Sequence, residues 1–416
     1  MSFGHRMRYG LLAACFVLVN MGPVAPLEGR VIDAVTGNGI ADATVSAGTT
    51  STHASAAGQF AIEAGGSTVM ARAPGYRALT VEMANRGQPA LIRLTPFVPK
   101  ALYLSFYGIG YKPIRDAALK TIREDHGLNA LVIDIKGDRG LIAFKTEGVL
   151  AHAVGADRIT TIPDLPGLLK ELHQAGIYAI ARIVVFKDDP LAAARPDLAV
   201  KTAAGALFRD REGLAWTDPF RQEVWDYNLD LAVEAARAGF DEIQFDYLRF
   251  PDQSNVRFSE QSTMASRIGA ITGFLTEARQ RLIPYNVFLA VDIFGYVCWN
   301  LDDTQIGQYI EDIVPLADYI SPMLYPSGFE FGIPGYGDPM QHPYEIVRLS
   351  LDRARARTGV SPLRFRPWLQ AFKDYAFDRR IFDQDDVNAQ ITGAESFGAD
   401  GWMLWNPQNI YTGLGF

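Results

Sequence analysis

Two aspartates, Asp246 and Asp292, each stand at the end of an apolar run that is typical of a buried β-strand. A carboxylate at such a place loses its hydration, so each aspartate is expected to be either paired with a cation or used in chemistry. Two carboxylates in unlike surroundings can act as acid and nucleophile on an acetal, because burial keeps one protonated while its neighbour stays ionised. The pair therefore predicts cleavage of a glycosidic bond.

The expected spacing of the two carboxylates indicates a retaining mechanism. Neighbouring parallel strands lie about 4.8 Å apart, so inward carboxylates at similar height approach to roughly 5 to 6 Å. Retaining glycosidases use a separation of about 5.5 Å, whereas a wider separation admits a water and gives inversion. We assign Asp246 as the nucleophile, kept charged by the basic Arg249 and Lys187, and Asp292 as the acid/base. The opposite order is also compatible.

Polar and aromatic residues at the other strand ends are the candidates for substrate contact, because a barrel of parallel strands builds its site there. They are Asp134, Lys136, Arg182, Lys187, Gln244, Arg249, Tyr247, Tyr325, Trp368, Gln370, Trp402 and Trp405. Asp134 and Lys136 are two residues apart, so both are expected on the same side of their strand. The alternative reading is a salt bridge inside the mouth, from Asp134 to Lys136 and from Asp246 to Arg249.

The aromatic residues among these candidates are concentrated at one predicted end of the strands. Their flat faces suit the C–H faces of pyranose rings. Core packing is the alternative for any one of them, and Trp368 or Trp402 could lie inside the helical layer. The segment 329–337, rich in glycine and aromatics, is expected to form a lid or a subsite wall.

Eight strand-like runs alternate with amphipathic stretches from residue 101 onward, which predicts an α/β fold, a (β/α)8 TIM barrel. The runs are residues 101–105, 130–135, 178–185, 242–245, 287–293, 319–323, 366–370 and 402–405. Asp241, Asp318 and Asp400 precede strands. We therefore expect them at the opposite end of the barrel, where they would be structural.

The chain before the barrel divides into a leader and a small β-rich module. Residues 1–26 combine basic residues with a short apolar run, which predicts a signal peptide or N-terminal anchor and hence export. Lipidation at Cys15 is the alternative. Residues 27–95 show short alternating runs and turn residues typical of an all-β sandwich, and residues 96–416 are assigned to the barrel.

Both folded parts resemble known families. Residues 27–95 resemble the carboxypeptidase regulatory-like domain, a transthyretin-like sandwich, through G-x-V-x-D, T-G-x-x-I-x-x-A-x-V, G-x-F and P-G-Y pieces. This resemblance implies a spacer or docking module without catalytic residues. The barrel is similar to a bacterial family of glycoside hydrolase domains of undefined substrate, through A-L-V-I-D-I-K-G at 130–137, F-D-E-I-Q-F-D-Y-L-R-F-P at 240–251 and V-D-I-F-G at 291–295. That resemblance implies a carbohydrate-active barrel with acidic catalysis.

Composition argues against several other functions. A net charge of −8 disfavours nucleic acid and anionic lipid as partners. Only Cys15 and Cys298 occur, so no internal disulfide is expected. Six scattered histidines show no metal-binding spacing, so we expect neither a metal nor another cofactor. No transmembrane span is expected beyond the leader.

Two other functions are compatible with these residues. A non-catalytic polysaccharide-binding barrel would keep the cleft and the aromatics, and its carboxylates would only accept hydrogen bonds from sugar hydroxyls. A metal-dependent deacetylase or hydrolase would need three converging ligands. Asp188 and Asp189 supply acids for it, but no histidine pair accompanies them. The expected partner is a carbohydrate, such as a cell-envelope or extracellular polysaccharide.

Overall fold

A computed structural model describes residues 1, 26–63, 66–83, 88–125, 127–411 and 413. The predicted leader lies almost wholly outside the described residues. Within the described part, no helix is both long enough and apolar enough to cross a membrane.

The N-terminal region is all-β, as predicted. Its strands are β1 (Leu27–Asp33), β2 (Thr44–Ala47), β3 (Thr50–His53), β4 (Gln59–Ile62), β5 (Thr68–Arg72), β6 (Leu79–Glu82) and β7 (Ala90–Leu94). They form two sheets, with strand orders β4-β1-β7 and β3-β2-β5-β6. Alternating side chains such as Val31, Val45 and Ile92 are fully buried in one cluster between them. The resemblance of this region to the carboxypeptidase regulatory-like domain stays a prediction.

The rest of the chain is a closed barrel of eight parallel strands, which confirms the predicted fold class. The strands of this part are β8 (Lys100–Leu104), β9 (Ala130–Lys136), β10 (Tyr178–Val184), β11 (Lys201–Thr202), β12 (Glu242–Asp246), β13 (Val256–Arg257), β14 (Phe288–Phe294), β15 (Tyr319–Met323), β16 (Trp368–Gln370) and β17 (Trp402–Trp405). The short β11 and β13 pair with each other outside the barrel, whose order is β10-β12-β14-β15-β16-β17-β8-β9.

Helices surround the barrel. They are α1 (Phe106–Gly110), α2 (Lys112–Glu124), α3 (Val149–Ala153), α4 (Leu165–Gln174), α5 (Asp189–Ala194), α6 (Gln222–Ala238), α7 (Met264–Leu282), α8 (Ile310–Ile313), α9 (Pro343–Thr358) and α10 (Gln384–Phe397). Their ends follow from local chemistry. The Asp383 side chain accepts from the first backbone N–H groups of α10, and Gly398 ends that helix in the left-handed conformation.

Strand alternation separates the barrel interior from the helical layer. On β8, Ala101 and Tyr103 face the interior cluster, whereas Leu102 and Leu104 pack under the helices. Deep in the barrel, at the start of β12 and just before β16, Glu242 and Arg366 form a fully buried ion pair of 2.6 Å.

The β-rich module docks on the N-terminal end of the barrel strands. Arg72 donates from Nε to Asp318 Oδ2 at 3.1 Å, and the Gly75 N–H donates to Asp400 Oδ2 at 2.9 Å. Asp241, at the same end, accepts from the backbone N–H of Ala179. Asp318 and Asp400 bind the module, and Asp241 binds the barrel backbone, so the module lies at the barrel end opposite to Asp246 and Asp292.

Candidate active site

Asp246 and Asp292 lie side by side on neighbouring strands. The register pairs Phe245 of β12 with Val291 of β14, so the two aspartates are the next residues on their strands. Both point into the barrel: Asp246 meets the inward guanidinium of Arg182, and Asp292 meets the indole of Trp368. The two candidate carboxylates therefore belong to one interior layer at the C-terminal end of the strands.

Asp246 is oriented by hydrogen bonds to both of its carboxylate oxygens. Arg182 donates to its Oδ2 from Nε at 3.0 Å and from a terminal nitrogen at 2.5 Å. The backbone N–H of Tyr247 donates to Oδ1 at 2.6 Å. Tyr247 has a φ of +47°, a left-handed conformation that is costly for a bulky residue. Such local strain often occurs at functional sites, and here it accompanies the hydrogen bond to Asp246.

Asp292 has the opposite environment. It is fully buried, its Oδ1 accepts from Trp368 Nε1 at 2.9 Å, and its Oδ2 has no hydrogen-bond partner among the described residues. Burial, and then the charge of Asp246, raise the pKa of Asp292 well above its usual range, although Arg182 opposes the shift. Asp292 is therefore expected to hold its proton to higher pH than an ordinary aspartate, beside a neighbour paired with a cation.

Arg182 joins Asp246 to two further acids. It donates to Asp134 Oδ1 at 2.6 Å and to Asp138 Oδ1 at 3.1 Å. Tyr103 donates from its hydroxyl to Asp134 Oδ2 at 2.6 Å. Burial raises the pKa of Asp134 to about 6, and the charge of Arg182 limits that rise. Among the described residues, the Arg182 guanidinium is thus the only cation that directly contacts Asp134, Asp138 and Asp246.

An open cavity of about 200 Å³ lies beside this network. Its wall includes the acids Asp134 and Asp138 and the aromatic rings of Tyr107 and Trp405. The Trp405 ring stacks on Tyr103 with centroids 3.9 Å apart, so the wall is held rigidly. The cavity wall therefore combines aromatic rings with the carboxylates of Asp134 and Asp138, whereas Asp246 and Asp292 are not among its lining residues.

Lys136 does not lie at the barrel mouth, where it was predicted to contact substrate. It is fully buried, its Nζ lies 2.7 Å from Asp188 Oδ2, and it donates to Asn228 of α6 at 2.9 Å. The β9–β10 register shifts after the pair of Arg182 with Asp134, so that the next residue of β10 faces Lys136. This bulge turns Lys136 into the helical layer. The predicted salt bridge between Asp134 and Lys136 is therefore wrong as well.

The two cations expected beside Asp246 contact other groups. Lys187 pairs with Asp210 at 3.1 Å and with Glu212 at 3.0 Å. Arg249 lies over the rings of Trp216 and Tyr247 and donates to the Phe250 carbonyl. Arg182, on the neighbouring strand, takes the role that sequence proximity had assigned to Arg249.

Three further residues that were predicted to contact substrate are buried and have structural roles instead. Trp402 is buried in the outer layer, where its Nε1 donates to Glu395 of α10. Gln370 is fully buried and is hydrogen-bonded to the backbone and hydroxyl of Ser327. Gln244 is also fully buried, in the layer beneath the two aspartates. By contrast, Tyr247, Tyr325 and Trp405 stay partly exposed, and Trp368 contacts Asp292 directly.

Sequence reasoning missed Tyr103 and Asp138. Tyr103 was identifiable, because it alternates with Ala101 along β8 and so had to face inward. Asp138 lies in the turn after β9, and no pattern in the sequence distinguishes it from a solvated loop residue. Both matter because they complete the hydrogen bonding around Arg182 and Asp134.

The described residues contain no group of three or more His, Cys, Asp or Glu side chains placed to hold a metal ion. The two acids proposed for a metal-dependent alternative are paired instead. Asp188 pairs with Lys136, and Asp189 pairs with Arg209 at 2.5 Å.

A closed barrel with two neighbouring carboxylates at the C-terminal strand ends is an architecture that glycoside hydrolases use. Comparison with known families is more specific: residues 101–411 match the family described as "Putative glycosyl hydrolase domain" (DUF4015). The match spans about three quarters of the chain, so the protein belongs to this glycosyl hydrolase domain family. Among curated proteins, none matches the chain.

Two solved structures with TM-scores above 0.5 share the fold. The PgaB (BpsB) glycoside hydrolase domain from Bordetella bronchiseptica is 15% identical, with a TM-score of 0.54, over 75% of this chain and 95% of that one. A β-galactosidase from the psychrophilic Marinomonas ef1 is 12% identical, with a TM-score of 0.53, over 74% of this chain and 54% of that one. A hypothetical protein from Ruminiclostridium thermocellum ATCC 27405 is 33% identical over 46% of this chain and 96% of its own, with a TM-score of 0.40.

Proposed function

We propose that the protein hydrolyses glycosidic bonds of a polysaccharide or oligosaccharide with Asp246 and Asp292 as its two catalytic carboxylates. The observation that carries the proposal is the contrast between them. Asp246 accepts two hydrogen bonds from Arg182, whereas Asp292 is buried without a cation at hydrogen-bond distance and has a raised pKa. Unlike environments of neighbouring carboxyl groups are what acid and nucleophile roles require.

In this mechanism Asp292 donates its proton to the leaving glycosidic oxygen while Asp246 attacks the anomeric carbon. The bond to the leaving sugar breaks and an ester to Asp246 forms. Asp292, now ionised, then takes a proton from a water molecule while the water oxygen attacks the anomeric carbon. The ester bond to Asp246 breaks, the sugar leaves, and both carboxyl groups return to their starting states. Arg182 donates to Oδ2 of Asp246 and the Tyr247 N–H donates to Oδ1, so together they orient the carboxylate, and Trp368 orients Asp292.

A non-catalytic binding barrel is the second candidate, and one observation favours it. Asp292 has no solvent-exposed surface in the unliganded chain, so its proton is reachable only if a substrate displaces the side chains above it. In that case Asp292 would serve only to hold the Trp368 ring.

Hydrolysis of a polysaccharide panel by matched variants separates the two. We expect Asp246→Asn and Asp292→Asn each to lose about a thousandfold in kcat/KM, equivalent to about 4 kcal/mol of barrier. Asp189→Asn is the control, because this acid at the start of α5 pairs with Arg209 outside the candidate site. Binding without hydrolysis by the parent would support the binding barrel, and parent-like turnover in both test variants would refute the carboxylate assignment.

We further propose that the protein is exported, on the strength of the leader predicted in residues 1–26. The β-rich module would then accompany the barrel outside the cytoplasm as a docked support. Cleavage or lipidation of the leader is checked by the mass of the mature N-terminal peptide.

A further inference from the structure

A strip of three aromatic rings leads away from the candidate carboxylates. Tyr325 follows β15, beside the strand that carries Asp292, and the charges of Asp246 and Asp292 add to burial in raising the pKa of Tyr325. The Tyr325 ring contacts Phe372 edge to face with centroids 5.3 Å apart. Phe372 and Tyr375 follow with centroids 6.2 Å apart and planes within 5° of parallel.

The outer ring of this strip is open to solvent. Tyr375 is 49% exposed, although it sits on a segment packed against the barrel end. Phe372 and Tyr325 are both partly buried, whereas about half of Tyr375 stays exposed. An exposed aromatic face that continues a line from the site is a surface for a ligand.

Asp374 fixes the segment that carries Tyr375. Its carboxylate accepts from the hydroxyl of Ser327 at 2.6 Å and from the backbone N–H groups of Ala376, Phe377 and Arg379 at 3.1, 2.8 and 2.9 Å. Although burial opposes it, these hydrogen bonds lower the pKa of Asp374 to about 2, so the anchor stays ionised at working pH. The ring is therefore presented before substrate arrives, which lowers the entropic cost of binding.

We propose that Tyr325, Phe372 and Tyr375 form a preformed outer subsite that stacks a sugar ring beyond the one at the carboxylates. The inference rests on the proposed function and deepens it. A site with an outer subsite gains binding energy from each added sugar residue, so the substrate class is a chain of several residues, not a disaccharide or a simple glycoside.

Chain-length dependence tests the subsite. The probes are cello-, xylo-, chito- and malto-oligosaccharides of two to six residues, with kcat/KM measured for each. We expect kcat/KM of the parent to rise with length on the series that it hydrolyses. Tyr375→Ala should lose about tenfold on the long members and leave the shortest unchanged. Tyr375→Phe should behave as the parent, because it keeps the ring. The matched control is Tyr111→Ala, which removes a similarly exposed tyrosine at the start of α2, outside the strip.

The outcomes separate the subsite from the underlying activity. A parent without any gain from chain length, or a Tyr375→Ala variant that keeps the gain, would overturn the subsite while leaving the hydrolase standing. If the parent hydrolyses none of the probes, their binding by calorimetry decides. Length-dependent affinity that Tyr375→Ala abolishes would support the strip without catalysis, and length-independent or absent binding would overturn it.

Discussion

Replacement of Arg182 removes the cation that joins most of the acids in the candidate site. Its side chain is buried, and it makes four hydrogen bonds to the acids Asp134, Asp138 and Asp246. Arg182→Met keeps an apolar stem of similar length but leaves buried carboxylates without their cation. Removing one partner of a buried ion pair costs about 3 to 5 kcal/mol of unfolding free energy.

The loss of unfolding free energy in this variant should depend on pH. The direction of that dependence follows from the pKa of Asp134. Its pKa of about 6 in the folded protein is already above the unfolded value near 3.9, and loss of Arg182 raises it further. A raised folded-state pKa contributes stability at low pH that is lost as pH rises through it. Each further unit adds about 1.4 kcal/mol to the cost of ionising Asp134 in the fold. The variant should therefore be closest to the parent in acid and weakest in mild alkali.

Urea unfolding between about pH 5 and pH 8 measures this difference. Arg249→Met is the control, because Arg249 stacks on aromatic rings and has no ion pair within the described residues. It should cost about 1 kcal/mol, with little change across the pH range. A destabilisation by Arg182→Met that stays constant with pH, or grows in acid, would refute the described charge network.

Three further substitutions test other parts of the structure. Because burial raises the pKa of Asp292, Asp292→Asn should melt like the parent below the unfolded aspartate pKa of about 3.9, and at increasingly higher temperature than the parent as pH rises from there toward the folded-state pKa. Arg72→Ala leaves Asp318 buried without its cation, so it should lower the unfolding free energy by about 3 kcal/mol while kcat/KM of the folded protein is unchanged. At Gly401, with φ +79°, an added Cβ would lie 1.7 Å from a carbonyl oxygen, so Gly401→Ala should reduce the melting temperature far more than Gly359→Ala, where the space is open.

The fold was predictable because its pattern is repetitive. All eight barrel strands lie at the predicted runs, and the largest difference is that β16 begins at Trp368, two residues later than expected. Asp241, Asp318 and Asp400 lie at the predicted end because the helix-to-strand connections repeat. Parallel strands buried on both sides leave few alternatives for an apolar run of this length.

The ion pairs were not predictable, because their partners are distant in sequence and are brought together only by the strand order of the barrel. Asp246 pairs with Arg182, which lies 64 residues away in sequence but on the adjacent strand. The face of β9 from which Lys136 projects depends on a bulge in that strand. A bulge turns a side chain to the other face without changing the pattern of apolar residues in the sequence. Trp402 begins its strand, and alternation places it under α10, on the face opposite to Met403.

The division of roles between the two neighbouring aspartates is the central claim, and a carbon-13 NMR titration of the aspartate side-chain carboxyl groups tests it most directly. Asp246→Asn and Asp292→Asn spectra assign the two signals. We expect the Asp292 carboxyl to keep its proton to a pH well above that at which an ordinary aspartate ionises. An Asp292 signal that titrates near the ordinary aspartate value of about 3.9 would contradict the assignment of Asp292 as the acid.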